Sequence, residues 1–231
     1  MKQFLLIAPA LFLLITCGKA NESIEEPTDR PQKTKVVAVD IGLSVKWANC
    51  NLGASKPESL GDYYAWGETE TKKEYNYWTY IWCFGSNQSF TKYNYDSAFG
   101  NVDNKTVLEI DDDVAHEVLG GKWRMPTCSE FDELISTKDN GNYQWEWKYI
   151  NGHNGWLVTY LVNNNSIYLP AAGNRHGTKI REVDTYGEYW SSSISTGSPD
   201  SAYFGDFSFY GIGRSELGRC LGLSIRPVYP K

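Results

Sequence analysis

The stretch Gly120-Gly121-Lys122-Trp123-Arg124-Met125-Pro126-Thr127-Cys128-Ser129-Glu130-Phe131-Asp132-Glu133-Leu134-Ile135 carries the clearest structural signal in the chain. Trp123 and Met125 alternate as in a short strand, and Pro126 then removes a backbone donor. Thr127 and Glu130 stand in the T-x-x-E spacing, in which the hydroxyl accepts from one free amide of a helix's first turn and the carboxylate from another. The spacing predicts a helix that starts at Cys128. Phe131, Leu134 and Ile135 fall at i, i+3 and i+4, so they share an inward face, with Glu130, Asp132 and Glu133 expected toward water beside the positive end of the helix dipole. The stretch reads as scaffold, and ligand chemistry is expected elsewhere.

Working outward, Asp111-Asp112-Asp113 precedes Val114-Ala115-His116-Glu117-Val118-Leu119-Gly120, a short helical pattern that the aspartates would cap and glycine would end. A calcium loop would need alternating oxygen ligands, and that spacing is absent. Downstream, Trp145 and Trp147 alternate with polar residues. The runs 156–161 and 166–169 flank Asn163-Asn164-Asn165, which predicts a hairpin because asparagine tolerates positive φ. Further short strands are expected at 187–193, 202–209 and 221–226, the last with Leu221, Leu223 and Ile225 on one face. Upstream, two short strands are expected around Val36–Val39 and Val45–Trp47, with a turn at Asp40-Ile41-Gly42. With only one or two helices in this pattern, the expected class is α+β with a twisted, mostly antiparallel sheet.

The chain has 231 residues, 41% of them hydrophobic and 15% aromatic, which suits one sizeable core. A formal charge of −6, with no cluster of lysines, argues against a nucleic-acid partner. Lys2 followed by the apolar run Phe4–Ile15 has the form of a secretory signal. Leu14-Ile15-Thr16-Cys17 resembles a bacterial lipobox, which implies cleavage after residue 16, lipidation at Cys17 and anchoring in the outer membrane. Residues 17–35, poor in aliphatic side chains, read as a lipidated tether, and the folded domain as 36–231. Cys50, Cys83, Cys128 and Cys220 then remain, either as buried thiols or in disulfides that the sequence does not pair, and their spacing does not suit zinc.

From Thr69 to Lys105 neither a helical nor a strand period persists. Aromatic residues there are set among Asn, Ser, Lys and Gly. Such a loop can be functional, and its rings can either offer flat faces to a sugar or clamp the loop onto the core.

Six blocks occur in order across residues 39–229: Val45-Lys46-Trp47-Ala48-Asn49-Cys50-Asn51-Leu52-Gly53-Ala54, Gly61-Asp62-Tyr63-Tyr64-Ala65-Trp66-Gly67-Glu68-Thr69, Gly121-Lys122-Trp123-Arg124-Met125-Pro126-Thr127, Ile167-Tyr168-Leu169-Pro170-Ala171-Ala172-Gly173, Tyr189-Trp190-Ser191-Ser192-Ser193 and Ser224-Ile225-Arg226-Pro227-Val228. Together they resemble the Fibrobacter succinogenes major paralogous domain family of exported, often lipidated proteins. The Arg-Met-Pro-Thr-x-x-Glu-Phe and Ile-Arg-Pro-Val blocks are also similar to those of the formylglycine-generating-enzyme-like branch of C-type lectin folds. The resemblance implies a C-type-lectin-like domain with adjacent terminal strands and a long loop region that carries any ligand site. That branch's oxidase activity uses a cysteine pair near the C-terminus. Here Cys220 stands alone in sequence, so the chemistry lacks its ligands unless the fold brings another thiol close.

No other catalytic constellation stands out: the three histidines share no ligand spacing, and Ser89-Phe90-Thr91-Lys92 lacks companion motifs. The expected function is therefore non-catalytic recognition of a glycan or a surface protein by an outer-membrane lipoprotein, with no cofactor and no metal. Candidate contacts are Tyr75, Tyr77, Trp78 and Tyr80 in the long loop, and Tyr186, Tyr189, Tyr203, Asp206 and Tyr210 near the C-terminus. Three alternatives are carried: a sulfatase-modifying-type enzyme, a purely structural envelope protein, and a ligand-display protein. The last follows from Tyr186–Arg219, which occupies the place of the variable surface in the C-type-lectin-like proteins diversified by retroelements.

Overall fold

The computed structural model describes residues 36–231; the expected signal segment, the tether and Cys17 lie outside the described residues. The domain is mostly β-sheet with a few short helices, 38% strand and 12% helix, and its class is α+β. In chain order the elements are β1 (Ala38–Val39), β2 (Val45–Ala48), β3 (Tyr63–Tyr64), α1 (Val114–Leu119), α2 (Cys128–Ser136), β4 (Tyr143–Ile150), β5 (His153–Tyr160), β6 (Asn165–Pro170), β7 (Asn174–His176), β8 (Lys179–Arg181), β9 (Tyr186–Ile194), β10 (Ser201–Ser208), β11 (Gly211–Gly218), β12 (Gly222–Ser224) and β13 (Val228–Pro230).

The largest sheet runs β11-β10-β9-β12-β7-β8, with β3 also paired to β12. Its one parallel strand pair is β12 with β9. A second sheet, β1-β2-β13, joins the start of the domain to its end. The third is the meander β4-β5-β6. Its second turn contains the asparagine run, with Asn164 at φ 59°. Its first rests on Asn151-Gly152 at φ 48° and 105°. The asparagine–glycine pair is the standard sequence signal for a two-residue hairpin turn, so this turn is legible without a structure.

The stretch 120–135 folds as its hydrogen-bond chemistry requires, with two refinements. Thr127 Oγ1 accepts from the Glu130 amide at 3.3 Å and Glu130 Oε2 from the Thr127 amide at 2.8 Å, a complete capping box at the start of α2. Glu130 does not face water as expected. It is half-buried, and Arg124 donates to both its oxygens at 2.8 and 2.5 Å. The expected strand at 123–125 contracts to a single bridge, in which the Arg124 and Val228 amides each donate to the other's carbonyl. Asp113 caps α1 through the amides of Ala115 and His116, and it also accepts from the Met125 amide at 2.8 Å. That bond ties the two helix starts together.

Helix α2 lies against one face of the β9-β10-β11 region. Phe131 is fully buried, 5.3 Å from Trp47 and 6.4 Å from Phe207 between ring centroids. A Cβ at Gly205 would come within 2.8 Å of that ring, so β10 keeps a glycine there. This core also holds Trp156, Val158 and Tyr189. A second core, around Trp66, Tyr93, Met125, Trp190 and Phe204, takes in α1, and there Leu223 and Ile225 are joined by Leu221 as their alternation predicts.

The six sequence blocks meet inside the fold. Trp66 Nε1 donates to Ser191 O at 2.8 Å, and Trp190 Nε1 to Tyr64 O at 3.0 Å, a reciprocal pair between two blocks. Arg226 is wholly buried. It donates to Asn51 Oδ1, Ala48 O and Tyr168 O at 2.9, 3.0 and 2.6 Å.

Candidate functional site

The 69–105 segment is held by its own aromatic side chains. Tyr75 and Tyr80 are buried, and their hydroxyls donate to Tyr63 O at 2.5 Å and Trp66 O at 2.7 Å. Phe90 and Tyr93 are buried as well, with Tyr93 edge-on to Trp66 at 5.1 Å. The wholly buried Arg219 stacks 3.8 Å over Phe90 and donates to Tyr93 O at 2.7 Å. Lys72 fastens the neck of the loop: its ammonium contacts Glu68 at 2.7 Å and donates to Thr79 O at 3.0 Å. Glu68 in turn accepts from the Ile81 amide at 2.9 Å. These bonds anchor the loop without a regular ladder, although Asn94 Nδ2 within it is buried with no partner among the described residues.

Pinned in this way, the loop turns three bulky apolar side chains outward between residues 78 and 84. Trp78 is 84% exposed, Ile81 61% and Phe84 80%. The Trp78 ring lies over Gly85, where a Cβ would come within 2.4 Å of it and where φ is 78°. Glycine next to Phe84 thus lets the indole lie flat against the loop. Scattered exposed apolar residues are ordinary, but three between residues 78 and 84 of one anchored loop mark it as a candidate contact surface.

The nine expected contact residues do not converge. Tyr75, Tyr80 and Tyr189 are corrections: all three are core residues, because each ring is enclosed and each hydroxyl is committed to a carbonyl, Tyr189 to Pro170 O at 2.5 Å. Tyr77 is half-buried with its ring edge-on to Phe90 at 6.3 Å. Trp78 is open. Tyr203 is half-buried, its hydroxyl bonded to Thr196 Oγ1 at 2.6 Å and its ring 4.8 Å from the Arg214 guanidinium. Tyr210 is 93% exposed at the β10–β11 turn, and half-buried Tyr186 lies on β9 opposite Ser208 at the same end. The long loop instead packs by the other end of that hairpin, where Asn87 donates to Asp200 at 3.1 Å. Eight-residue strands separate the two ends by about 23 Å. Loop and turn are two surfaces.

Asp206 lies half-buried on β10 directly opposite Glu188 on β9. Its Oδ1 is buried without a partner among the described residues, while Glu188 accepts from Asn174 at 2.6 Å. Burial first, and then the charge of Glu182, pushes the Asp206 carboxyl above its ordinary value; burial and the Asp206 charge do the same to Glu188.

Two open clefts lie near the neck of the loop. One of about 800 Å³ is lined by Asp62, Tyr64, Glu70, Glu117 and Trp123. The other, about 340 Å³, is lined by Tyr63, Lys72, Tyr75, Arg175 and Ile180, and Asp62 and Thr71 border both. Their lining comes from turns far apart in sequence, and no spacing announces them. Among the described residues no group of three or more His, Cys, Asp or Glu is placed to hold a metal ion.

The four cysteines of the described domain are free and buried. Cys83 and Cys220 share a third core cluster with Tyr63, Tyr75, Tyr80 and Phe90, so the fold does bring a second thiol into the neighbourhood of Cys220. Burial pushes the Cys220 thiol up to about 11 and raises that of Cys83. At neutral pH both are protonated, the less nucleophilic form of a thiol.

No protein-family model, no curated protein and no solved structure matches the chain. What the fold itself defines is an α+β domain in which a two-core sheet scaffold carries one long, anchored, aromatic loop.

Proposed function

We propose that the chain is a non-catalytic cell-envelope lipoprotein of the Fibrobacter succinogenes major paralogous domain type. Its domain is C-type-lectin-like, and the 69–105 loop recognises a glycan or a surface protein. The observation that carries this reading is the exposure of Trp78, Ile81 and Phe84 on a loop whose other rings are spent in anchoring it. An exposed indole suits stacking on a pyranose, and an indole, an aliphatic chain and a phenyl ring together suit the centre of a protein interface. The meeting of β1 and β2 with β13 and the convergence of the six blocks on buried hydrogen bonds support the lectin-like reading.

The test is binding of the full chain to a glycan array and to envelope proteins, each with and without chelator, compared with a Trp78→Ala/Phe84→Ala variant. The expected result is binding in one arm that weakens about tenfold or more in the variant, with an unchanged unfolding midpoint because both side chains are exposed. Binding that the variant retains in full would refute the assignment of this loop.

A further inference from the structure

The three-stranded sheet ends in β4, an eight-residue edge strand whose only strand partner among the described residues is β5. The β4–β5 turn closes on the pair Ile150–His153, and the closing pair of a two-residue turn exchanges both hydrogen bonds. Even-numbered residues of β4 therefore bond to β5. The bond from the Leu161 amide to Asn142 O, 2.8 Å, keeps the same parity. The Tyr143 amide is satisfied by Asn140 O at 2.9 Å. That leaves Trp145, Trp147 and Tyr149 with N–H and C=O groups pointing away from the sheet.

Such an edge is a template for another strand unless something blunts it. Here the side chains beside it are apolar: Tyr149 is 69% exposed, and Phe209, 63% exposed, packs edge-on to Trp147 at 6.4 Å. On the other face the side-chain charges of Glu146 and Lys148 pair only with each other among the described residues, at 3.1 Å. The other long edge of the fold differs. On β11, Arg214 is held by Asp132 at 2.7 Å and Cys128 at 3.0 Å, and Glu216 is bonded to Ser195, so its charges are already engaged inside the molecule.

We propose that β4 is the docking edge for a second copy of this chain, paired antiparallel about a two-fold axis at Trp147. In that register Trp147 faces its own counterpart and Trp145 faces Tyr149, so every outward N–H meets an outward C=O. Glu146 then stands directly opposite Lys148 of the other copy, twice per interface. Shifting the register by two residues to centre on Glu146 would place that carboxylate against itself, a like-charge cross-strand pair that destabilises. Charge complementarity thus selects both the partner and the register. The interface is isologous, as a closed two-fold dimer requires.

A charge-swap experiment on the full chain in non-ionic detergent tests this, with mass measured by light scattering from micromolar to several-hundred-micromolar protein. Wild type is expected to dimerise. Glu146→Lys places lysine opposite lysine and Lys148→Glu places glutamate opposite glutamate, so each variant alone should dimerise about tenfold or more weakly. Mixing the two variants restores opposite charges at both positions and should return the dimer. Wild type that stays monomeric throughout overturns the proposal. So does a wild-type dimer that either single substitution leaves intact, or a mixture that fails to recover.

Discussion

Replacing Arg226 by methionine removes the donor that joins three blocks of the chain, and the size of the effect can be worked from its contacts. The guanidinium is wholly buried and donates to Asn51 Oδ1, Ala48 O and Tyr168 O at 2.9, 3.0 and 2.6 Å. None of these acceptors is a carboxylate, and burial pulls the arginine pKa below its ordinary value. Methionine fills much of the same volume but leaves all three oxygens dry, and each buried acceptor without a partner costs about 1–3 kcal/mol. Relief of the buried cation's desolvation returns several kcal/mol of that sum. A net loss of about 3 kcal/mol follows, which in a domain of this size lowers Tm by about 6–12 °C. Arg226→Lys keeps the charge but loses the planar fork, and should fall between wild type and methionine. The assay is urea and thermal unfolding followed by circular dichroism. If Arg226→Met unfolds within about 1 kcal/mol of wild type, the buried guanidinium does not hold these segments together and the account of the sequence blocks fails with it.

Other perturbations probe narrower points. Asp206 and Glu188 both have folded-state pKa values above their unfolded ones, so the protonated forms favour the fold: the contribution is complete below about pH 4 and is lost as pH rises through the raised values. Asp206→Asn should therefore stabilise the domain at neutral pH by up to about 1 kcal/mol and flatten the rise in stability on acidification; urea midpoints that run parallel to wild type from pH 4 to 8 would contradict this. Thr127→Ala removes one half of the α2 capping box while Arg124 still holds Glu130. It should cost about 1 kcal/mol in chemical denaturation, with no change in ligand binding.

The sequence by itself determined the elements whose hydrogen bonds close within a few residues. The T-x-x-E box places the start of α2 because both capping bonds span three positions, and Asp113 and Gly120 bracket α1 for the same reason. The turn in the Asn163–Asn165 run belongs to this class, since asparagine tolerates the positive φ that Asn164 adopts. β11 was not legible: in Gly-Ile-Gly-Arg-Ser-Glu-Leu-Gly no apolar alternation marks an edge strand whose arginine and glutamate turn back onto α2 and Ser195. Only the tertiary structure decided which aromatic side chains of the long loop were available. Tyr75, Tyr80 and Trp78 sit among similar polar neighbours, yet a carbonyl from residue 63 or 66 lies within reach of the first two hydroxyls, while the indole of Trp78 lies over Gly85 and stays 84% exposed. A ring is drawn inward when a distant segment supplies both an apolar wall and a partner for its polar tip, and that coincidence is written nowhere in the local sequence.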